Sequence, residues 1–292
     1  MAFSDVFKKL CASLLVSALF LSLVASSSFA QALPSFTPEQ LDRIVARIAL
    51  YPDPLLAQIL TASTFPDQIP EAAQWADEHH YLTGAELARA IEDDHLWWDP
   101  SVQALLPFPS VLEMMASDMA WTNELGNAVL ADRVGVMDAA QRMRHKAWEY
   151  GYLRSNGQII VSNGPYITIE PVNPDYLVVP VYDPFIVFAP PRPGFFVGGA
   201  ITFGFGVTLG AWFRPWGWGA CRIGWGEHAI FINGVRWDRG WANRGFYVHG
   251  YSGLHRWVGA NRLERHELIR RSAGEREFAR TGHAFHEEHL RH

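Results

Sequence analysis

The segment IALYPDPLLAQIL, residues 48–60, decides how the first part of the chain folds. Before it, a capping sequence at Thr37 is followed by apolar residues at helical spacing over 41–50, which predicts one helix. Within it, the prolines end that helix, and Asp53 with Pro54 is typical of the start of another. The sequence therefore predicts two short helices that meet at this segment.

The same helix-start signals recur along the next hundred residues. Asp99 precedes a proline, and Thr83 with Glu86 has the spacing of a capping box. Further helices are predicted at about 68–80, 84–93, 100–106, 110–119, 121–134 and 136–150. We expect a compact bundle of short helices.

Strand patterns replace the helical ones further along the chain. Asn163-Gly164 between two apolar runs predicts a hairpin with a two-residue turn. Two more β-rich runs, 176–181 and 185–188, flank the turn-forming Asp183-Pro184, and Pro180 argues for an edge strand. The predicted fold class is α+β: an N-terminal bundle of short α-helices, a small antiparallel β element, a Gly/Trp-rich segment, and a polar tail that is partly helical or disordered.

Composition divides the chain into six segments, with a proline-rich break near residue 192. They are a signal peptide (1–30), a helical domain (36–157), a β element completing that domain (158–190), a Pro/Gly/Trp-rich apolar segment (191–226), a small β-rich region (227–258) and an Arg/His-rich tail (259–292).

Five stretches of this sequence resemble the bacterial domain-of-unknown-function family 3300. They are IALYPDPLLAQIL (48–60), WDPSV (98–102), DMAWT (118–122), VMDAAQR (136–142) and VPVYDP (179–184). The match covers about residues 38–190 in the expected order, and it implies an exported envelope protein of Gram-negative bacteria. The family has no established reaction, so no catalytic residue is carried over. Beyond residue 192 such proteins are usually Gly-, Trp- and Asn-rich, whereas this chain is Arg- and His-rich.

The first 30 residues have the pattern of a secretory signal peptide. Lys8 and Lys9 precede an uncharged run over 10–24, and small residues follow up to Ala30. We expect cleavage before Gln31 and a periplasmic or outer-envelope location; an uncleaved signal anchor is the alternative. Removal of this peptide leaves Cys221 as the one cysteine, so the fold needs no disulfide.

Charge is distributed unevenly over the 292 residues. The hydrophobic share of 49% excludes wholesale disorder, and the net charge of −6 does not predict a nucleic-acid partner. Residues 31–191 carry a net −13, and residues 192–292 a net +6. Two interpretations stay open: the basic part meets an acidic surface, an anionic lipid or a polymer, or the asymmetry only keeps both parts soluble.

The uncharged stretch over residues 194–213 has a spacing that is compatible with a helix and also with strands. Small residues recur every fourth position, which in a helix makes a ridge for close packing against a membrane helix or a second copy of the chain. Bulky and small residues also alternate, which predicts strands. A loose linker is the third alternative. The small residues are Gly194, Gly198, Thr202, Gly206 and Gly210.

Several tryptophans follow this stretch. Trp212, Trp216, Trp218 and Trp225 have the spacing of an aromatic belt at a membrane interface. The alternative is that they cover a small β core built from residues 229–237 around an Asn-Gly turn. We predict packing against a membrane or partner through Gly194, Gly198, Gly206, Gly210, Trp212, Trp216 and Trp218.

Two candidate chemical sites remain. His283, His286, His289 and His292 lie three residues apart, so adjacent pairs can share a helix face and bind Zn or Cu; a solvated tail is the alternative. Cys221 stands beside Arg222, with His228 seven residues later, but a structural cysteine is the commoner explanation.

The sequence favours a non-enzymatic interaction or assembly module, exported to the envelope and associated with an envelope protein or the membrane surface. No cofactor is required by this interpretation. Two alternatives stay open, namely a cell-wall-acting or other hydrolase whose site the sequence does not locate, and a metal-binding protein that uses the histidine cluster.

Overall fold

The computed structural model describes residues 33–191, 198–204 and 206–241. Its α-helices are α1 (Pro38–Val45), α2 (Asp53–Ala62), α3 (Ile69–Glu78), α4 (Gly84–Asp93), α5 (Pro100–Gln103), α6 (Pro109–Ser117), α7 (Met119–Ala131), α8 (Arg133–Glu149) and α9 (Pro184–Val187), with 3-10 helices at Pro66–Gln68 and Gly210–Trp216. Its strands are β1 (Ile159–Asn163), β2 (Ile167–Pro171), β3 (Tyr176–Leu177), β4 (Pro180–Tyr182), β5 (Ile201–Phe203), β6 (Val207–Thr208), β7 (Arg222–Gly224), β8 (Ala229–Ile232) and β9 (Val235–Arg236). The predicted α+β class is confirmed.

The first predicted helix starts as expected and ends early. Thr37 and Gln40 form the capping box, since each side chain bonds the backbone N–H of the other. The helix stops at Val45 instead of continuing to residue 50, because the carbonyl of Ala46 accepts the hydroxyl of Tyr182 (2.9 Å). The hydroxyl of Tyr182, in β4, thus occupies a carbonyl that would accept a main-chain N–H if the helix continued.

The other predicted helices are present with small changes of length. Asp99 caps α5 by accepting the N–H of Ser101 (2.9 Å). The capping box predicted at Thr83 is wrong: its side chain makes no cap bond, and α4 begins at Gly84 with a φ of +53°. Helices α2 and α7 approach so closely that a Cβ at Gly126 would collide with the carbonyl of Ser63.

The predicted hairpin is present as β1 and β2, with a longer loop. Asn163 pairs with Ile167, so the loop has three residues, 164–166, and the two-residue turn is wrong. Pro165 follows the glycine and supplies no N–H, which is consistent with the extra residue. The strand predicted over 185–188 is also wrong, since Asp183 caps the single turn α9 by accepting the N–H of Phe185.

Of the three alternatives for residues 194–213, the structure has strands at Ile201–Phe203 and Val207–Thr208, followed by the 3-10 helix at Gly210–Trp216. Strand β5 pairs with β4, and β6 pairs with β3, in two separate two-stranded antiparallel sheets; we call these two pairs the ribbon. Leu177 pairs with Val207, and Pro180 pairs with Phe203. A Cβ at Gly206 would collide with the ring of Tyr176, so the small residue is required there.

A fourth sheet, β7-β8-β9, confirms the predicted turn at Asn233-Gly234. Both turn residues have positive φ, +52° and +73°, as a tight hairpin turn requires. The described residues after 197 belong to the same compact unit as the helices, and the predicted division into six segments stays a prediction. A second unit, Asn243–His292, lies outside the described residues.

An apolar cluster joins the β element to the helical part. It contains Leu50, Ala147, Leu153, Ile159, Ile167, Ile169, Val178 and Val187. None of the helices in the described ranges has the length and apolar character that crossing a membrane requires.

Candidate functional site

A buried polar cluster holds the centre of the molecule together. Arg144 of α8 is fully buried, and its Nη1 donates to Asp53 Oδ1 (2.6 Å) at the start of α2. The other carboxylate oxygen, Asp53 Oδ2, accepts the indole N–H of Trp225 (2.8 Å), whose ring faces the guanidinium at 4.7 Å. We call Asp53, Arg144 and Trp225 the central cluster. It links two helices to the segment after β7.

The guanidinium of Arg144 also satisfies backbone carbonyls in three places. Nε donates to Ala49 O (2.8 Å), Nη2 to Tyr51 O (2.9 Å), and Nη1 to Ile167 O (2.9 Å). A buried ion pair is tolerated when such additional hydrogen bonds satisfy the groups taken out of water. Because its polar atoms already bond one another and the backbone, the central cluster is built to position elements of the fold.

Sequence reasoning missed this cluster. Asp53 was expected to start a helix, which it does, but its side chain makes no cap bond and turns inward. The available signal was on α8, where Arg144 falls on the same helix face as the buried Ala140 and Ala147. An arginine in line with apolar residues on a helix face indicates a buried ion pair.

Glu170 lies at the solvent edge of the central cluster. Partial burial and the negative charge of Asp53 raise its pKa to about 7, while Arg144 opposes the shift. The Glu170 carboxyl is thus the group of this region that changes charge near neutral pH.

Cys221 has the environment of a structural cysteine. Its thiol is buried and donates to Pro54 O (3.3 Å). Burial raises the pKa of the thiol well above its usual range, and the charge of Glu170 adds to the effect. The guanidinium of Arg222 lies over the ring of Phe231 at 3.8 Å, and His228 pairs with Asp138, so neither is used to activate the thiol.

Three of the four predicted interface tryptophans pack against the protein itself, namely Trp225 of the central cluster, Trp216 and Trp218. The indole N–H of Trp216 donates to Gln103 Oε1 (2.9 Å), and that of Trp218 donates to Ala104 O (3.0 Å). Both contacts are with the end of α5, as expected if the tryptophans cover a protein core. Trp212 differs, since about half of its side chain is exposed.

The three predicted glycines that the structure describes do not share a surface of one helix. Gly198 lies exposed in a turn before β5, Gly206 lies under the ring of Tyr176, and Gly210 has a φ of +50° at the start of a 3-10 helix. Gly194 lies outside the described residues. The proposed contact of this stretch with a membrane or partner stays a prediction.

The predicted metal ligands His283, His286, His289 and His292 also lie outside the described residues. Within the ranges that the structure describes, no group of three or more His, Cys, Asp or Glu side chains is arranged to hold a metal ion. Binding of Zn or Cu by the tail therefore stays a prediction.

An exposed apolar strip crosses the end of the ribbon. Its members are Val181 of β4 with Phe185 and Ile186 of α9, and their exposed fractions are 58%, 91% and 52%. The α9 turn causes this exposure: Val187 points into the apolar cluster, while the two residues before it point to solvent. We call Val181, Phe185 and Ile186 the apolar strip.

Comparison with known proteins gives a family without an activity. The family model described as "Protein of unknown function (DUF3300)" matches residues 37–258. The uncharacterized protein YacH of Escherichia coli (strain K12) is 32% identical over 221 residues, covering 60% of this chain and 36% of YacH. The chain therefore spans about a third of the length of the curated relative it matches. No solved structure matches it.

Proposed function

Since the chain belongs to DUF3300, a family of proteins of unknown function, we propose a role from the chain's own surface. The protein is exported to the cell envelope and acts as a non-enzymatic module that binds another envelope protein. The apolar strip is the docking site.

The exposure of Phe185 carries this proposal. A phenylalanine ring with 91% of its surface in water, flanked by two further exposed apolar side chains, gains free energy when a partner covers it. Aromatic anchors that enter a partner's pocket contribute a large share of binding free energy in protein interfaces. The strip has this character, with one aromatic and two aliphatic side chains.

Charge around the strip favours a basic protein over an anionic membrane. The exposed Asp175 and Asp183 stand near it in the chain, and residues 155–191 contain no lysine or arginine. An anionic lipid surface would repel this region, whereas an apolar pocket with a basic rim would complement it. The proposed partner is therefore an envelope protein with such a pocket.

A photo-crosslinking amino acid placed at position 185 in intact cells tests the docking site. We expect one reproducible protein adduct, and we expect it to disappear when Val181→Ser and Ile186→Ser are added. The matched control places the same amino acid at Tyr81, another exposed aromatic residue, and should yield no such adduct. The purified complex should weaken as salt rises, because the proposed attraction is partly electrostatic.

Three outcomes would overturn this docking proposal. They are an adduct with a second copy of the chain alone, an adduct with lipid alone, and an adduct that persists in the Val181→Ser/Ile186→Ser variant. Alkaline carbonate washing separates the membrane outcome, since a peripheral protein partner predicts release of the chain. Export is tested separately by sequencing the N-terminus of the mature protein, which should begin at Gln31; retention of Met1 in the cytoplasm would contradict it.

A further inference from the structure

A cleft of about 370 Å³ lies away from both the central cluster and the apolar strip. One wall is the junction of α7 and α8, including Arg133, and the opposite wall carries His228, Arg236 and Arg239. These side chains come from three separate parts of the chain. Arginine is therefore concentrated where the helical part and the last sheet meet.

Arg133 and Arg236 are close enough to repel each other. Burial lowers the pKa of Arg133, and the charge of Arg236 lowers it further, with partial relief from Asp238. The guanidinium of Arg133 is held in place, since it donates to Trp237 O (3.1 Å) and faces the Trp237 ring at 5.5 Å. In the part of the chain that the structure describes, Arg236 is exposed and makes no salt bridge.

The acidic side chains of this region have other partners. Asp132 caps α8 by accepting the N–H of Gly135 (2.9 Å), and Asp99 accepts from Arg239 (2.9 Å). Asp138 accepts from His228 Nε2 (2.9 Å). Glu227 also lines the cleft, and its Oε2 approaches Gly224 on the side of β7. Asp238 acts on Arg133 by charge alone, since the described residues contain no salt bridge between it and either arginine. Among the described residues, the guanidinium groups of Arg133 and Arg236 therefore have no carboxylate in direct contact.

The backbone at His228 supports a positioned side chain. His228 has a φ of +46°, a conformation that residues other than glycine rarely adopt. Its hydrogen bond to Asp138 fixes the ring on the wall of the cleft. Strained residues of this kind are often found at ligand sites, because the surrounding structure must hold them there.

We propose that this cleft binds a phosphoryl group, with Arg133 and Arg236 as its principal ligands and His228 at its side. A guanidinium presents parallel N–H donors that match the oxygens of phosphate. A phosphate monoester carries a charge of about −1.5 to −2, which can offset two neighbouring arginines, whereas one carboxylate can offset only one. The two unpaired guanidinium groups therefore favour phosphate over carboxylate.

Calorimetry on the purified full-length protein tests the site with inorganic phosphate as the probe. We expect saturable binding, weakened about tenfold or more by Arg236→Gln, as for loss of a charge-assisted hydrogen bond. Arg133→Gln combined with Arg236→Gln should abolish it. The matched control is Arg89→Gln, which removes an exposed arginine on α4 and should leave binding unchanged. Arg236 is exposed, so its single variant should fold normally and keep the test valid.

Two further probes distinguish the source of the phosphoryl group. Glycerol phosphate that binds like inorganic phosphate, without binding of the protein to phosphatidic acid vesicles, supports a soluble phosphate ester. Vesicle binding that is lost in the double variant supports a lipid headgroup. The proposal is overturned if phosphate does not bind the wild-type protein, if acetate binds equally well, or if the double variant binds phosphate as the wild type does.

Discussion

Arginine occupies two opposite environments in this molecule, the central cluster and the cleft between α8 and the last sheet. Arg144 is fully buried, and its hydrogen bonds are complete with one carboxylate and three carbonyls. Arg133 is half-buried, Arg236 is exposed, and their like charges repel each other across the cleft that both line. An arginine whose partners all lie inside the protein therefore fixes the fold, whereas arginines without a carboxylate in direct contact are available to a ligand.

The largest loss of stability is expected when Arg144 is replaced. Replacing it in Arg144→Met leaves the Asp53 carboxylate buried without its ion pair, so the free energy of unfolding should fall by about 3–5 kcal/mol. Urea unfolding followed by circular dichroism measures this. Arg89→Met on the exposed face of α4 should change stability by less than about 0.5 kcal/mol. A loss below about 1 kcal/mol in Arg144→Met would show that the central cluster does not hold the fold.

A smaller effect is expected at Trp225. Trp225→Phe removes the N–H that donates to Asp53 Oδ2 but keeps an aromatic ring against Arg144. Loss of a hydrogen bond to a charged group should lower the free energy of unfolding by about 2 kcal/mol. The same urea assay measures it, with the exposed Trp212→Phe as the control. Equal effects of the two substitutions would contradict the role given to the indole N–H.

The stability that Glu170 contributes at the edge of the central cluster should depend on pH. The folded state holds the Glu170 proton up to a pKa of about 7, compared with 4.5 for an ordinary glutamate, so this group's contribution to stability falls as pH rises from about 4.5 to about 7. The Glu170→Gln variant has no carboxyl to ionise, so it should not lose stability over this pH range. Its melting temperature should therefore exceed that of the wild type by about 2 °C at pH 8 and by less at pH 5. Thermal unfolding at both pH values measures this difference. A gap of the same size at both would contradict the raised pKa.

The smallest effect on stability is expected in the cleft. Arg236→Gln should leave the free energy of unfolding within about 0.5 kcal/mol of the wild type, on the stabilising side, because it removes repulsion from Arg133. The urea assay again measures it. A large fall in the free energy of unfolding would show that Arg236, like Arg144, is required for the fold.

The sequence predicts local features of this fold well and long-range ones poorly. Three aspartates precede prolines at helix starts. Asp99 caps as the pattern indicates, and Asp183, which was predicted to form a turn between strands, also caps a helical turn. The third, Asp53, does not cap, because Arg144 lies 91 residues away along the chain and draws its carboxylate inward. A capping signal depends on a few adjacent residues, whereas a buried ion pair depends on a distant partner.

Residues 194–213, the glycine-rich stretch, also show that local sequence does not reveal long-range pairing. Its spacing fits a helix and a strand equally well, and the outcome is decided by pairing with Tyr176–Leu177 and Pro180–Tyr182. The cleft was not foreseen at all, because Arg133, His228 and Arg236 are brought together only by packing of the last sheet on the helices.

The bond between Asp53 and Trp225 also constrains the order in which the chain folds. These residues are 172 positions apart, and Gln58 bonds the carbonyl of Trp216 over 158 positions. Contacts this distant form slowly, and during synthesis α2 is complete long before its partners have left the ribosome. Arg144 can pair with Asp53 once about half of the chain has been made, but the second carboxylate oxygen of Asp53 lacks its indole donor until more than three-quarters has been made.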